Sequence, residues 1–285
     1  MFYFVHSPRD TNFTVKSICL LVCRQRKEMV LMAHWLIDIH THILPAVDDG
    51  AEDQNMSLLM LLRAKEQGIT HIFATPHSSA FDEHPKEVLE AFQNLYGKAA
   101  QMLPDMTLYL GCEVYCEADR MPEVLEKLRS GEYPTMNGTK YVLMEFSRWV
   151  QPEAAVPCVK ALMEAGYIPI IAHMEHYRHL QNNMQLVQQF RELGAKIQLN
   201  VGSLFDEMDE TTKAWARRLV LEQQADFQGT DAHKTYYRPP SAEMGLKWMY
   251  ENTECAYAEA IAFENAEQLL CRRGDHDCTR NRIDS

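Results

Sequence analysis

The 285-residue sequence lacks a basic surplus, a dense set of cysteines and a long apolar run, and each absence excludes a class of protein. It has 28 Lys and Arg against 40 Asp and Glu, which argues against binding to nucleic acid or to an anionic membrane surface. Its 8 cysteines form no CxxC pair and are too sparse for a disulfide scaffold, which favours reduced thiols and a cytoplasmic location. No apolar run approaches the roughly 20 residues that a membrane-spanning helix needs.

The two ends of the chain differ in pattern from its middle. Residues 1–31 show no helical or strand period, and Met32 directly precedes the first clear strand. We therefore expect 1–31 to be a disordered extension or the product of a misassigned start codon. The polar residues 272–285 are expected to form a tail that frays. Residues 32–271 contain no linker or low-complexity segment, which predicts one domain.

Strand and helix patterns alternate through this middle part. The order predicts right-handed βαβ units and parallel strands. Seven such units in about 240 residues suit one closed or nearly closed α/β barrel, and an open doubly wound sheet is the alternative. The strands are predicted at Trp35–Thr41, His71–Pro76, Thr107–Tyr115, Tyr141–Phe146, Ile168–His173, Lys196–Val201 and Asp226–Asp231.

Six of these seven strands end in His, Asp or Glu side chains. In parallel α/β folds the carboxyl ends of the strands share one edge, where ligands bind. Residues two apart on a strand share a face, so His40 projects with His42, and Asp231 with His233. Any one of these residues alone would more often be structural, but the whole set predicts a metal centre. The predicted ligands are His40, His42, Asp49, His77, Glu113, Glu145, His173, Asp231 and His233.

The chemistry of this set indicates which ions it would hold. Burying four carboxylates together without cations would be very costly. The set offers nitrogen and oxygen atoms only, which favours Mn, Fe or Zn over a structural zinc site with thiolates. Nine ligands can hold two or three divalent ions with some bridging. Because close metal ions are typical of phosphoester hydrolases, the sequence predicts an enzyme of that kind.

The segment DIHTHILPAVDDGA, residues 38–51, resembles the opening signature of the PHP (polymerase and histidinol phosphatase) superfamily, and within it that of the bacterial capsule-type protein-tyrosine phosphatases. The motifs ATPH, GCE, LMEF, AH and DAH follow in the family's order. The resemblance covers residues 35–271 and implies a single-domain, distorted (β/α)7 TIM-like barrel with three divalent metal ions, typically manganese. It also implies a phosphotyrosine protein as the substrate, namely the tail of a bacterial tyrosine kinase in capsule and exopolysaccharide control.

The resemblance further implies which residues bind each metal ion. His40, His42, Glu113 and Asp231 would hold one ion, Glu113, Glu145 and His173 a second, and Asp49, His77 and His233 the third.

The resemblance implies that two more residues bind phosphate. Arg238 matches the family's arginine after the DAH motif, and its guanidinium would grip phosphate oxygens. His176 stands where the family usually has a second such arginine, and it could donate a hydrogen bond to phosphate, above all when protonated. Arg178 follows two positions later, but spacing alone does not show whether it reaches the site.

The predicted function is a metal-dependent protein-tyrosine phosphatase, a phosphoric monoester hydrolase. No cysteine begins a Cys-x5-Arg loop, so no cysteine nucleophile is expected. Two alternatives remain open: a small-molecule phosphatase of the histidinol-phosphate type, and a metal-bearing regulatory protein with little catalysis, which the replacement by His176 would suit. The acidic composition disfavours an exonuclease of the same fold.

Overall fold

The structure is a computed structural model that describes residues 36–205 and 209–271. The predicted extension 1–31 and tail 272–285 lie outside the described residues. The strands are β1 (Leu36–Thr41), β2 (Ile69–Ala74), β3 (Thr107–Leu110), β4 (Glu113–Tyr115), β5 (Tyr141–Glu145), β6 (Ile168–Ile171), β7 (Lys196–Asn200) and β8 (Phe227–Gly229). The α-helices are α1 (Gln54–Glu66), α2 (Ser78–Glu83), α3 (Pro85–Met102), α4 (Met121–Ser130), α5 (Pro152–Glu164), α6 (Met184–Glu192), α7 (Glu210–Leu221), α8 (Glu243–Asn252), α9 (Cys255–Glu259) and α10 (Glu267–Leu270).

The strands are parallel and follow one another in chain order. One sheet has the order β1-β2-β3 and the other β4-β5-β6-β7-β8, without the reversal that marks a doubly wound sheet. Backbone hydrogen bonds join the sheets at both sides, since Glu113 N–H donates to Pro76 O at 3.0 Å and His42 N–H donates to Ala232 O at 2.8 Å. The predicted parallel α/β fold is confirmed, whereas the described strands form two sheets and no continuous closed barrel.

The third predicted strand, Thr107–Tyr115, is wrong as one element, because it breaks into β3 and β4 at Gly111 and Cys112. A Cβ atom on Gly111 would lie 2.8 Å from the Met136 sulfur, so glycine lets the Met136 side chain pack closely against the backbone here. Beyond the break, Glu113 pairs with Leu143 of β5 and bridges to His77. The break therefore carries Glu113 to the junction between the two sheets.

Several helices begin and end at residues that favour capping. Asp53 caps α1 by accepting a hydrogen bond from the Met56 N–H at 2.9 Å, and Gly131 ends α4 with a φ of 82°. The last helical stretch of the described chain, α9 and α10, is interrupted by a π-helical turn at Ala260–Glu264. No α-helix in the described ranges is both long and apolar enough to cross a membrane.

The two sheets share one apolar core. A cluster of buried side chains includes Ile37 of β1, Phe73 of β2, Leu143 of β5 and Phe227 of β8. Because its members come from both sheets, the described residues form a single α/β domain.

Two buried cysteines lie beside Glu113. Cys112 and Cys116 are free thiols, and burial raises the pKa of each well above its ordinary value. Cys158 is also a free thiol, as expected for a reduced protein. Cys271 is disulfide-bonded, so the expectation of reduced thiols is wrong at that position.

Candidate metal centre

The nine predicted ligands meet where the strands end. His173 Nε2 lies 2.8 Å from Glu113 Oε1, and Asp231 Oδ1 lies 3.4 Å from His42 Nε2, so these residues join the same network. Three groups each place their ligand atoms within 4.8 Å of one another: His42, Asp49, His77 and His233; His40, His42 and Glu113; and His77, Glu113 and Glu145. The strand-end positions that the sequence singles out are therefore brought together.

Glu113 lies at the centre of this network, and its side chain is 1% exposed. Its carboxylate oxygens lie 3.2 Å from Nε2 of both His40 and His42, and 3.0 Å from Nδ1 of His77. Burial disfavours its charge, but the neighbouring imidazoles outweigh burial and hold the pKa of Glu113 well below its ordinary value. An ionised carboxylate with several imidazoles around it is suited to bridging two cations.

Outer hydrogen bonds orient the two histidines of the β1 end. The Nδ1–H of His42 donates to Asp48 Oδ2 at 2.8 Å, and His40 Nδ1 lies 3.3 Å from Gln198 Oε1. Their Nε2 atoms consequently face each other at 3.3 Å, beside the Glu113 carboxylate. Burial opposes charge on His42, yet Asp48 and the other carboxylates raise its pKa well above its ordinary value. The cluster thus requires positive charge, which divalent cations can supply in place of protons.

His233 offers a nitrogen without a hydrogen-bond partner. Its Nδ1–H donates to the Asp231 carbonyl oxygen at 2.8 Å, which leaves Nε2 as an acceptor. This Nε2 is buried, lies 3.3 Å from Asp49 Oδ1 and has no hydrogen-bond partner within the described part of the chain. Buried polar atoms are nearly always paired, so two facing acceptors fit a cation between them. Together with the all-N/O donor set, this contact shows that the residues fit divalent metal ions.

Several residues that support the ligands were missed by the sequence analysis. Asp48 orients His42, and Gln198 Oε1 accepts a hydrogen bond from the His173 N–H at 2.8 Å. Asn200 Nδ2 donates to Asp231 Oδ2 at 2.9 Å. Such outer partners fix the orientation of metal ligands. A signal was present, because Gln198 and Asn200 are an i, i+2 polar pair at the end of β7, the strand without His, Asp or Glu.

Gly50 brings the acidic loop back onto His42. A Cβ atom on Gly50 would lie 2.1 Å from the His42 carbonyl oxygen, so no other residue fits without movement of the backbone. Its N–H donates to Asp48 Oδ1 at 3.0 Å. This close approach places Asp48 against the His42 ring and Asp49 at the mouth of the centre.

Three predicted site residues have backbone conformations that L-residues rarely adopt. The φ angles are 31° at His173, 52° at Asp231 and 50° at Arg238. Each such residue costs on the order of 1–3 kcal/mol, and strain of this kind concentrates at functional sites. The Asp231 N–H donates to the His40 carbonyl at 2.8 Å, which ties this strained turn to β1.

Arg238 lies next to the centre. Its Nη1 is 3.0 Å from Asp231 Oδ2, and its Nη2 is 3.9 Å from Asp49 Oδ2. Its Nε–H is buried and has no partner among the residues that the structure describes. The guanidinium therefore has donors left for a further acceptor beside the ligand cluster.

His176 also lies beside the centre. Its ring stacks on that of His173 with centroids 5.5 Å apart, and its Nε2 lies 3.3 Å from Ser203 Oγ. Burial, together with the nearby charge of His173, lowers the pKa of His176 to about 3. The ring is therefore neutral near pH 7 and can offer only a neutral N–H to a phosphate oxygen.

Arg178 is held elsewhere. Its Nη1 and Nη2 donate to the Asp209 carboxylate at 3.2 and 2.8 Å, at the start of α7. The cations whose charges act on His176 are instead Arg148 and Arg238. Arg178 thus does not take the place of the arginine that His176 replaces.

Comparison with known proteins places this geometry in a family. The family model described as capsular polysaccharide synthesis, CpsB/CapC, matches residues 36–271. Tyrosine-protein phosphatase YwqE of Bacillus subtilis is 34% identical over 237 residues, which cover 82% of this chain and 91% of YwqE. Tyrosine-protein phosphatase CpsB of Streptococcus agalactiae (serotype III, strain NEM316) is 28% identical over 242 residues, which cover 82% of this chain and 98% of CpsB.

A solved structure agrees with these relatives. This structure is described as one of the crystal structures of YwqE from B. subtilis and CpsB from Streptococcus pneumoniae, unique metal-dependent tyrosine phosphatases. It superposes with a TM-score of 0.74 at 34% identity, and the match covers 82% of this chain and 94% of that chain. The match to residues 36–271 and the shared fold show that this chain belongs to the CpsB/CapC family.

Proposed function

We propose that this chain is a metal-dependent protein-tyrosine phosphatase. The observation that carries the proposal is the convergence of the nine predicted nitrogen and oxygen ligands, with the buried Glu113 at their centre, in a chain of the CpsB/CapC family. The names of the relatives, tyrosine-protein phosphatases from B. subtilis and S. agalactiae, support the substrate class.

We infer that the centre holds three divalent metal ions, with manganese preferred and iron or zinc as alternatives. The ligand sets are those that the resemblance implies: His40, His42, Glu113 and Asp231; Glu113, Glu145 and His173; and Asp49, His77 and His233. When bound, such ions supply hydroxide near neutral pH and withdraw charge from phosphoryl oxygens. Three divalent cations exceed the charge of four carboxylates, so the loaded centre would attract a phosphate dianion despite the acidic chain.

The remaining roles fall to the chain's own side chains. Arg238 is proposed to grip phosphoryl oxygens, because its buried Nε–H has no partner in the described ranges and its Nη1 is fixed by Asp231. His176 is proposed as a weaker, neutral donor near His173. Asp48 holds the His42 ring in place during the reaction.

The finer architecture and the cellular role belong to the same proposal. The sequential strand order, the backbone bonds at both junctions and the shared apolar cluster support a distorted (β/α)7 TIM-like barrel for the domain at 32–271. The capsular family description supports a substrate on the tail of a bacterial tyrosine kinase in capsule and exopolysaccharide control. Such a phosphatase is proposed to act in the cytoplasm.

Chelation tests the proposal directly. Hydrolysis of a phosphotyrosine peptide should fall to background after treatment with EDTA and return on addition of Mn²⁺, because the metal ions supply the nucleophile. The measurement is phosphate release, with metal content determined on the same samples. Full activity in protein shown to be metal-free would contradict the proposal.

The same assay separates the alternatives. Faster turnover of histidinol phosphate than of the peptide would favour a small-molecule phosphatase. The neutral His176 in place of an arginine is the observation that favours a regulatory protein with little catalysis. That candidate would bind metal and phosphotyrosine peptide without releasing phosphate.

A further inference from the structure

An exposed arginine that the sequence analysis did not single out, Arg148, lies on the loop between β5 and α5. It comes three residues after Glu145, a predicted ligand at the end of β5. Its side chain forms no salt bridge within the described part of the chain. Arg178 and Arg238, by contrast, each bind a carboxylate, at 2.8 and 3.0 Å. The guanidinium of Arg148 therefore keeps its donors for an acceptor that the described chain does not supply.

Two hydrogen bonds fix this loop against the segment that follows β6. The Phe146 N–H donates to the Tyr177 hydroxyl oxygen at 3.2 Å, and the Arg178 N–H donates to the Arg148 carbonyl oxygen at 2.9 Å. Tyr177 is the residue next to His176 in the chain. The backbone of Arg148 is thus held beside the short helical turn that ends at His176.

The charge of Arg148 acts at the position where the resemblance leads us to expect a second phosphate-binding arginine. The charges of Arg148 and Arg238 both act on the His176 ring, from the loops after β5 and β8. His176 has two ring nitrogens, and its Nε2 lies 3.3 Å from Ser203 Oγ, whereas a guanidinium has five N–H donors. Arg148 can therefore supply the charge and the donors that His176 lacks.

We propose that Arg148 is a second phosphate-binding residue of this centre and takes over the role of the arginine that His176 replaces. This inference rests on the proposed phosphatase function. The phosphoryl group binds with Arg238 on the β8 side and Arg148 on the β5 side. Hydrogen bonds from a guanidinium to phosphate are roughly twice as strong as neutral ones. Phosphate affinity thus depends on a residue outside the motifs that carry the resemblance.

Inorganic phosphate tests this assignment without turnover, by calorimetry on the purified protein with its metal ions. Arg148→Gln should weaken phosphate binding by about tenfold, the effect expected from losing one charge-assisted hydrogen bond. Metal content should stay at the wild-type value, because Arg148 is not a predicted ligand. The matched control is Arg178→Gln, which removes the same charge from the neighbouring loop, where Asp209 holds the guanidinium. This control should bind phosphate within about twofold of wild type.

A double-mutant cycle with His176→Arg tests whether the two positions share one role. In the His176→Arg background, Arg148→Gln should weaken phosphate binding by only about twofold, because the added guanidinium takes over. If His176→Arg fails to fold, the comparison of Arg148→Gln with Arg178→Gln decides. Wild-type affinity in Arg148→Gln, equal losses in Arg148→Gln and Arg178→Gln, or an undiminished loss in the His176→Arg background would overturn the assignment.

Turnover of a phosphotyrosine peptide by the wild type keeps the two proposals apart. If phosphate binding depends on Arg148 but the peptide is not hydrolysed, the proposed function fails and the phosphate-binding role stands. If the peptide is hydrolysed but Arg148→Gln binds phosphate as the wild type does, the role of Arg148 fails and the phosphatase function stands.

Discussion

Replacing Glu113 with glutamine is expected to lower kcat/KM for a phosphotyrosine peptide by at least about 10³-fold, because bound metal ions supply several kcal/mol of transition-state stabilisation. Glu113 contacts four imidazoles, at 2.8 to 3.2 Å, and lies in two of the three groups that could hold a metal ion. Glutamine keeps the shape but removes the charge that balances the cations. Metal content, measured on the purified variant, should fall with activity.

A matched control is Glu126→Gln, which makes the same chemical change on the exposed face of α4. It should leave metal content and kcat/KM at wild-type values, and circular dichroism should show that both variants are folded. Wild-type metal content together with wild-type activity in Glu113→Gln would show that the centre does not depend on its most central carboxylate.

Arg238→Lys is expected to lower kcat/KM by on the order of 10²-fold, the typical cost of losing one oriented donor to a developing oxyanion. The Arg238 guanidinium binds Asp231 through Nη1 and still has a buried Nε–H without a partner in the described residues. A lysine ammonium is a point charge that cannot hold the carboxylate and reach phosphate in this fork geometry. Inhibition by inorganic phosphate should weaken in the same variant.

Arg178→Lys provides the comparison, since it makes the same substitution at an arginine that is bound to Asp209 on the surface. Surface ion pairs contribute little, so its kcat/KM should stay within about twofold of wild type. A larger loss for Arg178→Lys than for Arg238→Lys would reverse the assignment of the phosphate-binding arginine.

The predictable part of the candidate site depends on strand periodicity. His40 and His42 share a face because residues two apart on a strand do so, and their strand must end where its neighbours end in a parallel sheet. The same periodicity predicts that Asp231 and His233 lie at this edge. Local sequence patterns therefore predict that the nine side chains converge. Their roles as metal ligands are part of the proposal.

Other features depend on contacts between distant segments, which local patterns do not contain. Gly111, at the break between β3 and β4, packs against Met136, which lies in the segment after α4. Arg178 was two residues from His176 in sequence, yet Asp209, 31 residues away, holds its guanidinium. A cavity beside His77 likewise combines Tyr115 of β4 with Tyr133, which follows α4.

The two cysteines beside Glu113 affect how the enzyme would respond to oxidants. Cys112 and Cys116 are buried, and burial raises their pKa values, so both remain protonated thiols. Peroxide and alkylating agents attack thiolates, and tyrosine phosphatases that use a cysteine nucleophile are inactivated in this way. Because the proposed chemistry uses nitrogen and oxygen ligands and these two thiols are buried, we expect thiol-alkylating agents to leave phosphatase activity unchanged.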